Sequence, residues 1–416
     1  MKNLQTLRLS TLALLMGAAL SGCSSMGPVS EASQPSAFSV AVIGDVPYGT
    51  SPTDTRQLVL HPKFISSINA DADVALVAHI GDIHAGKQYC TEEYNKTVFQ
   101  HWTAFTKPLV FTPGDNEWMD CHKAKQGGGS FNKATGAIDY VKDANGNFAT
   151  YAKGDPIANL ALVRSMFFSK PGQTLGKPMT VTSQSADANP VDKTFVENVR
   201  WEQSGVLFVT VNIPGGSNNG TDPWYGAPSM SPQQQKEVAD RSAATLRWID
   251  AAYNHATTKG NIAMVILTQA DMWDVDEAAT GAAHLSGFKQ YLDKIAEGTK
   301  AYGMPVLMIM GDSHTYRSDN PLQKGAACAV EVESGKPAVS CADSRAVAMT
   351  AARKSPADAY MAQDHGYNVP NFHRIVVHGE TMPLEYLKLR VDPAANVPHG
   401  LESFGPFSWK RVQPGM

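Results

Sequence analysis

Read for the spacing of its apolar residues, the chain breaks into short, continuous hydrophobic runs separated by amphipathic stretches of helical period. Phe38–Ile43, Val74–Ile80, Leu109–Thr112 and Val306–Met310 are compact runs rich in β-branched or bulky side chains. Runs without polar alternation read as strands buried on both faces. The spacing between them predicts helices near Thr55–Asn69 and Thr91–Phe105, so the front of the chain reads strand–helix–strand–helix–strand. That order indicates βαβ units on a largely parallel sheet. From Cys121 to about Asn198 the rhythm breaks: Gly127-Gly128-Gly129, Asn145-Gly146-Asn147 and a stretch rich in Pro, Asp, Asn and Ser mark an irregular insertion. Regularity returns with a strand at Val206–Val211. Ser231-Pro232-Gln233-Gln234 then opens a helix, with serine as N-cap, proline in the first turn and Gln234 completing a capping box. Strand Ile262–Leu267, a helix near Leu285–Tyr302 and strand Val306–Met310 follow. A looser segment, Ser318–Asn371, leads to two last strands, Ile375–Val377 and Leu384–Leu389.

Four of these runs end in the same dipeptide. Gly44-Asp45, Gly81-Asp82, Gly114-Asp115 and Gly311-Asp312 each stand at the carboxyl end of a predicted strand. Glycine lets the backbone turn sharply there, and the aspartate after it projects from the strand tip. Open α/β sheets collect ligands at those carboxyl ends. Several carboxylates at one sheet edge repel one another unless positive charge sits among them, which points to one or two hard divalent cations. A single Gly-Asp has a bland alternative, an aspartate that caps a helix or a turn; four at successive strand ends argue for a site.

In their order, these blocks resemble the calcineurin-like metallophosphoesterase superfamily, whose motifs also lie at strand ends. The counterparts are Gly44-Asp45-Val46-Pro47-Tyr48, Gly81-Asp82-Ile83-His84, Gly114-Asp115-Asn116-Glu117-Trp118, Thr268-Gln269-Ala270-Asp271 and Gly311-Asp312-Ser313-His314. The resemblance covers roughly Phe38 to Leu389. It implies an α/β fold, an αββα sandwich of two mixed sheets flanked by helices, over residues 38–412. It also implies a phosphoester hydrolase in which a hydroxide held by two cations attacks phosphorus. By position Asp45 would bind a first ion, Asp82 would bridge both, and His314 would complete the first site. The second site is rebuilt. Asp115 and Asp312 stand where the family has asparagine and histidine, and Asp271 or Gln269 replaces its lone histidine. Carboxylates in place of imidazoles favour Mg²⁺, Ca²⁺, Mn²⁺ or iron over zinc. Asn116 occupies the position of the family's proton-donating histidine and cannot do acid–base work near neutral pH. His84, beside Asp82, is the nearest substitute, whereas His79 alternates to the other side of its strand and reads as packed. Arg317 is a candidate phosphate clamp, with pairing to Asp319 as the alternative. Trp118, Trp224 and Tyr225 are candidates for stacking on a substrate ring or simply for packing. The reading from another class is a binding lipoprotein that keeps the fold and the metal without turnover.

Composition narrows the class. The chain has 416 residues, is 43% hydrophobic and carries a net charge of −4. It shows no Lys/Arg cluster, which argues against nucleic-acid binding. A small phosphorylated substrate is the expected partner, and nothing in the sequence bears on oligomeric state. Lys2 and Arg8, the apolar Leu12–Leu20 and Leu20-Ser21-Gly22-Cys23 resemble a bacterial lipoprotein signal over residues 1–22, with Cys23 as the lipidated residue. Ser24 and Ser25, rather than aspartate, follow it, as in proteins sorted to the outer membrane and facing the periplasm. Residues 23–37 then form a small, polar tether. Four further cysteines suit an exported chain with two disulfides; three pairings exist, and local spacing favours Cys90–Cys121 and Cys328–Cys341. A four-cysteine zinc site would want Cys-x-x-Cys pairs, which are absent. Cys23→Ser is expected to release the protein from membranes or leave an uncleaved precursor. Unchanged membrane partitioning in a fractionation assay would overturn that expectation.

Overall fold

The computed structural model describes residues 36–187, 189–274, 282–353 and 366–415. The signal stretch, Cys23 and most of the tether lie outside the described residues. Two large mixed sheets face each other. The first runs in the order Ser403–Phe404, Phe407–Val412, Tyr386–Val391, Phe38–Ile43, Val74–His79, Pro108–Phe111 and Leu175–Gly176. The second is built around four parallel strands, Val206–Thr210, Ala263–Leu267, Val306–Met310 and Phe372–Val376. Antiparallel strands finish both its edges.

Strand alternation explains why the runs are apolar throughout. In Phe38–Ile43, Val40 and Val42 point into the layer between the sheets, together with Phe208, Val265, Leu307 and Ile309 from the second sheet. Ala41 and Ile43 point outward, under the helices Arg56–Ala70, Glu92–Trp102 and Pro156–Phe167, with Phe64, Ile68, Trp102 and Val163. The second sheet is covered in the same way: Leu207, Val209, Ile266 and Met308 meet Trp248, Ile249, Phe288 and Leu292 of the helices Pro232–Lys259 and Ala282–Tyr302. Helix, sheet, sheet, helix is therefore the layer order. Buried from both sides, each strand has no need of a polar face.

Local details follow the sequence with instructive exceptions. Ser231 does cap its helix, its Oγ accepting from the Gln234 N–H at 3.1 Å. Gln234, however, does not reach back to complete the capping box. Its buried amide serves the loop beside it, donating to the Asp222 carbonyl at 2.8 Å and accepting from the Trp224 N–H at 3.1 Å. Buried loop backbone with no ladder partner claims the amide instead. The stretch 121–198 holds more order than its composition suggests: a hairpin, Gly129–Phe131 with Ile138–Tyr140, the helix Pro156–Phe167, and an edge strand for each sheet. Cys90 is bonded to Cys121 and Cys328 to Cys341.

One buried ion network ties the second sheet to the strand ends. Arg374, wholly buried on Phe372–Val376, grips Asp319 through Nε and Nη2 at 2.8 and 2.6 Å and Asp271 through Nη1 at 2.7 Å. Arg317 adds a 2.6 Å contact to Asp319. Burial alone would raise the Asp319 carboxyl, but the two guanidiniums hold it down at about 2. Removing one partner of a buried pair leaves the other charge stranded, so Arg374→Met is expected to cost about 3–5 kcal/mol in urea unfolding. A loss below about 1 kcal/mol would contradict that role.

Candidate metal centre

The carboxyl ends of both sheets open on one edge. In the first sheet Ile43 pairs with His79 and His79 with Phe111, so the tips carrying Asp45, Asp82 and Asp115 leave side by side. Asp312 and His314 follow the tip of Val306–Met310 in the second sheet. Four of these residues adopt the left-handed backbone region: Asp45 at φ 54°, Asp82 at 59°, Asp312 at 74° and His314 at 62°. Each such non-glycine residue is strained by roughly 1–3 kcal/mol, and outliers of this kind gather at functional sites. The glycines are required by space. A Cβ on Gly114 would run into the Asp82 carboxylate, and one on Gly311 into that of Asp45. A Cβ on Gly215 would lie 2.7 Å from oxygens of both Asp115 and Asp312.

Two trios of donor atoms result, Asp45–Asp82–His314 and Asp82–Asp115–Asp312, each with its atoms within 4.8 Å of one another. Asp82 belongs to both. Around them stand neutral donors. The Tyr48 hydroxyl donates to Asp82 at 2.9 Å, and Asn116 Nδ2 reaches Asp82 and the Tyr48 oxygen at 3.0 Å each. Gln269 Nε2 contacts Asp82, Asp115 and Asp312 at 3.2, 3.3 and 3.0 Å. Backbone N–H groups of Asn116 and Asp312 donate to Asp82 and Asp45 at 3.1 Å. On the outer side His314 Nε2 lies 3.3 Å from Asp45, while its Nδ1 lies 3.1 Å from Glu380. A carboxylate on the far ring nitrogen orients the imidazole, an arrangement common behind metal-ligating histidines.

The electrostatics fit a cation. Burial, then the charges of Glu117, Asp45 and Asp312, push the Asp82 carboxyl well above the ordinary range. Burial and neighbouring aspartates do the same to Asp115 and Asp312. Burial lifts Glu117 to about 7. Burial opposes the His314 charge, yet its hydrogen bond to Asp45 and the Asp45 and Glu380 charges hold it well above its usual value. Asp45 Oδ2, fully buried, has no hydrogen-bond partner. Converging oxygens, an orphaned carboxylate oxygen and an oriented imidazole form a donor set suited to divalent cations.

Other expected residues are placed elsewhere. His84 is completely buried, edge-on to Tyr94, with Nδ1 3.3 Å from the Ala85 carbonyl and Nε2 unpartnered. Burial lowers it to about 4, so the expected proton donor is a neutral, packed side chain. It does lie near the Cys90 and Cys121 sulfurs, but their disulfide removes both as ligands. Arg317 is engaged by Asp319 rather than offered as a phosphate clamp. Asp271 is taken by Arg374 and by the Ser313 hydroxyl at 2.8 Å, and only its backbone N–H reaches the cluster, donating to Asp312 at 3.2 Å. Gln269, not Asp271, therefore occupies the centre. His79 packs on Trp102 and bonds the Val46 carbonyl. Trp118 and Trp224 are buried, the latter donating to Asn219, and Tyr225 packs on Tyr140 and His122. Glu380 went unread; its signal was the Val377-His378-Gly379-Glu380 turn after a late strand.

No family model matches the chain, and no curated protein does. Among solved structures it is similar to the purple acid phosphatase PPD1 isolated from yellow lupin (Lupinus luteus) seeds, at 12% identity and a TM-score of 0.37. The match covers 86% of this chain and half of that one. In the metal-free protein the raised carboxyls stabilise the fold at low pH, and that contribution is lost as pH climbs past the ordinary carboxylate range toward their folded values. A cation must displace those protons, so Mn²⁺ affinity is expected to rise with pH and binding to release protons. Calorimetry in buffers of different ionisation enthalpy checks this, and identical heats in all of them would refute it.

Proposed function

We propose that this chain is a metal-dependent hydrolase of phosphate esters, and the observation that carries the reading is the pair of acidic trios sharing Asp82. Asp45, Asp82 and His314 would hold one ion, and Asp82, Asp115 and Asp312 the place of a second. Bound there, divalent cations would supply Lewis acidity that activates a water nucleophile and offsets charge on the phosphoryl oxygens. The chain's own residues orient the rest. Asn116 Oδ1 accepts from Gln126 Nε2 at 2.7 Å, which fixes its amide with the N–H₂ edge toward Asp82 and Tyr48. Burial and the Asp82 charge keep the Tyr48 phenol protonated, so it stays a hydrogen-bond donor. The Lys123 charge, paired with Asp120 at 2.7 Å, also acts on Asp115, opposing the rise that burial causes.

A groove of about 720 Å³ opens beside the centre, walled by Tyr48, Glu380, Thr50, Leu60, Val59 and Met382. Tyr48 and Glu380 touch the trios directly, while Val59 and Met382 are among the few large apolar side chains left exposed. This supports a small phosphorylated substrate whose organic part is apolar and lies along that wall. With the Cys23 reading, the enzyme would work from a lipid anchor at the outer membrane, facing the periplasm.

One observation favours the second reading, a metal-holding binding lipoprotein. Among the described residues, His314 is the only imidazole in either trio, and His84 is sealed off. Leaving groups that depart as stable anions are then favoured, because losing general-acid help costs about 10²–10⁴ in rate. The metal-loaded protein is expected to hydrolyse p-nitrophenyl phosphate or its bis-ester, with alkyl phosphates slower by about that factor. Asp82→Asn should be the most damaging single change, since it touches both trios. Bound metal with no turnover of any phosphoester would leave the binding-protein reading.

A further inference from the structure

We infer that Gln269 makes the two halves of the centre unequal: its amide fills the Asp82–Asp115–Asp312 half, so the chain holds one divalent cation tightly at Asp45, Asp82 and His314 and a second only weakly. The inference rests on the metal reading above and adds which half is occupied first and why.

A single nitrogen, Gln269 Nε2, sits 3.0–3.3 Å from one oxygen of each of three carboxylates. That is the middle of the trio, where a cation coordinated by all three would lie. The amide offers its donor edge there because its other end is fixed. Oε1 accepts from the Gly215 N–H at 2.7 Å. Turning the amide over to give a cation its oxygen would set –NH₂ against that N–H and strand a buried donor. Leaving a buried donor unpaired lowers the equilibrium for such a flip by roughly 5- to 150-fold.

Nor can the side chain swing away. Gln269 is fully buried, and a Cβ on Gly81 would already lie 2.7 Å from its Cβ and Cγ. Gly215 is held as closely, pressed against the Asp115 and Asp312 oxygens. The other half also has a neutral donor, the Tyr48 hydroxyl 2.9 Å from Asp82 and 3.4 Å from Asp45, and differs in what is left over. Asp45 Oδ2 is buried with no partner, and His314 stands with Glu380 on its outer nitrogen. Both halves contain a neutral donor, but in one a single nitrogen reaches all three carboxylates, whereas the other keeps an unsatisfied oxygen.

The test is titration of the metal-depleted full chain with Mn²⁺ alone, followed by calorimetry and by the paramagnetic resonance of free Mn²⁺. The wild-type chain should bind a first ion tightly and a second at least about tenfold more weakly. Gln269→His and the near-isosteric Gln269→Glu each replace the donor amide with a metal ligand. Both should tighten the second ion by tenfold or more while leaving the first within a few-fold, with thermal melting checking that each variant is folded. Two equally tight ions in the wild type, or a second ion that neither variant strengthens, overturns the inference while the metal reading stands. Failure of wild type and both variants to bind Mn²⁺ overturns the metal reading and this inference together. Asp45→Asn should abolish the tight ion and spare the weak one; the reverse also overturns the assignment.

Discussion

Like charge crowded onto one shared edge is the problem around which the strand tips, their turns and their glycines are arranged. Asp45, Asp82, Asp115 and Asp312 arrive from two different sheets and bring their oxygens within a few ångströms of one another. Among the described residues no lysine or arginine forms an ion pair with Asp82, Asp115 or Asp312. Two unit charges 4 Å apart at a protein surface repel by on the order of 4 kcal/mol, so four ionised carboxyls could not stay there unaided. A few residues away the same problem has the opposite solution. Asp319 and Asp271 face Arg374, and both are spent on structure.

The backbone makes that concentration of charge possible. Flat apolar strands fix where each tip ends, but they do not turn a side chain inward. The left-handed conformations of Asp45, Asp82, Asp312 and His314 do so, and adjacent glycines clear the space their carboxylates occupy. Strain of this kind persists only where the surroundings over-determine it. Here the surroundings are three apolar layers, one between the sheets and one under each set of helices.

What the sequence made legible was whatever depends on neighbours in the chain. Strand runs, the helices between them and the Gly-Asp tips are local patterns, and Asp45, Asp82, Asp115 and Asp312 could be read directly from them, whereas His314 was implied only by the resemblance of the blocks to a known family. What escaped depends on partners far along the chain. Glu380 reaches His314 across 66 residues, and Arg374 claims Asp271 across 103. Asp271 and Gln269 were indistinguishable by position, because their strand fixes neither which is caught by an arginine nor which faces the trio. His84 misled for the same reason: sharing a turn with Asp82 says nothing about the cystine and Tyr94 that enclose it.

The differences from the metallophosphoesterase pattern that the sequence resembles form a coherent set. Where that pattern has imidazoles, this chain has a carboxylate, Asp312, and two amides, Asn116 and Gln269, each amide locked by a partner behind it, Gln126 and the Gly215 N–H. An amide neither titrates nor carries charge, so it can donate to carboxylates at any pH without neutralising them. The centre therefore keeps its demand for positive charge while, among the described residues, His314 is the only imidazole in either trio. Burial opposes that imidazolium, and it survives only through Asp45 and Glu380. Substituting amides for imidazoles shifts the burden of charge balance from protons on nitrogen to protons on carboxylates, and from those to a metal ion whenever one is present.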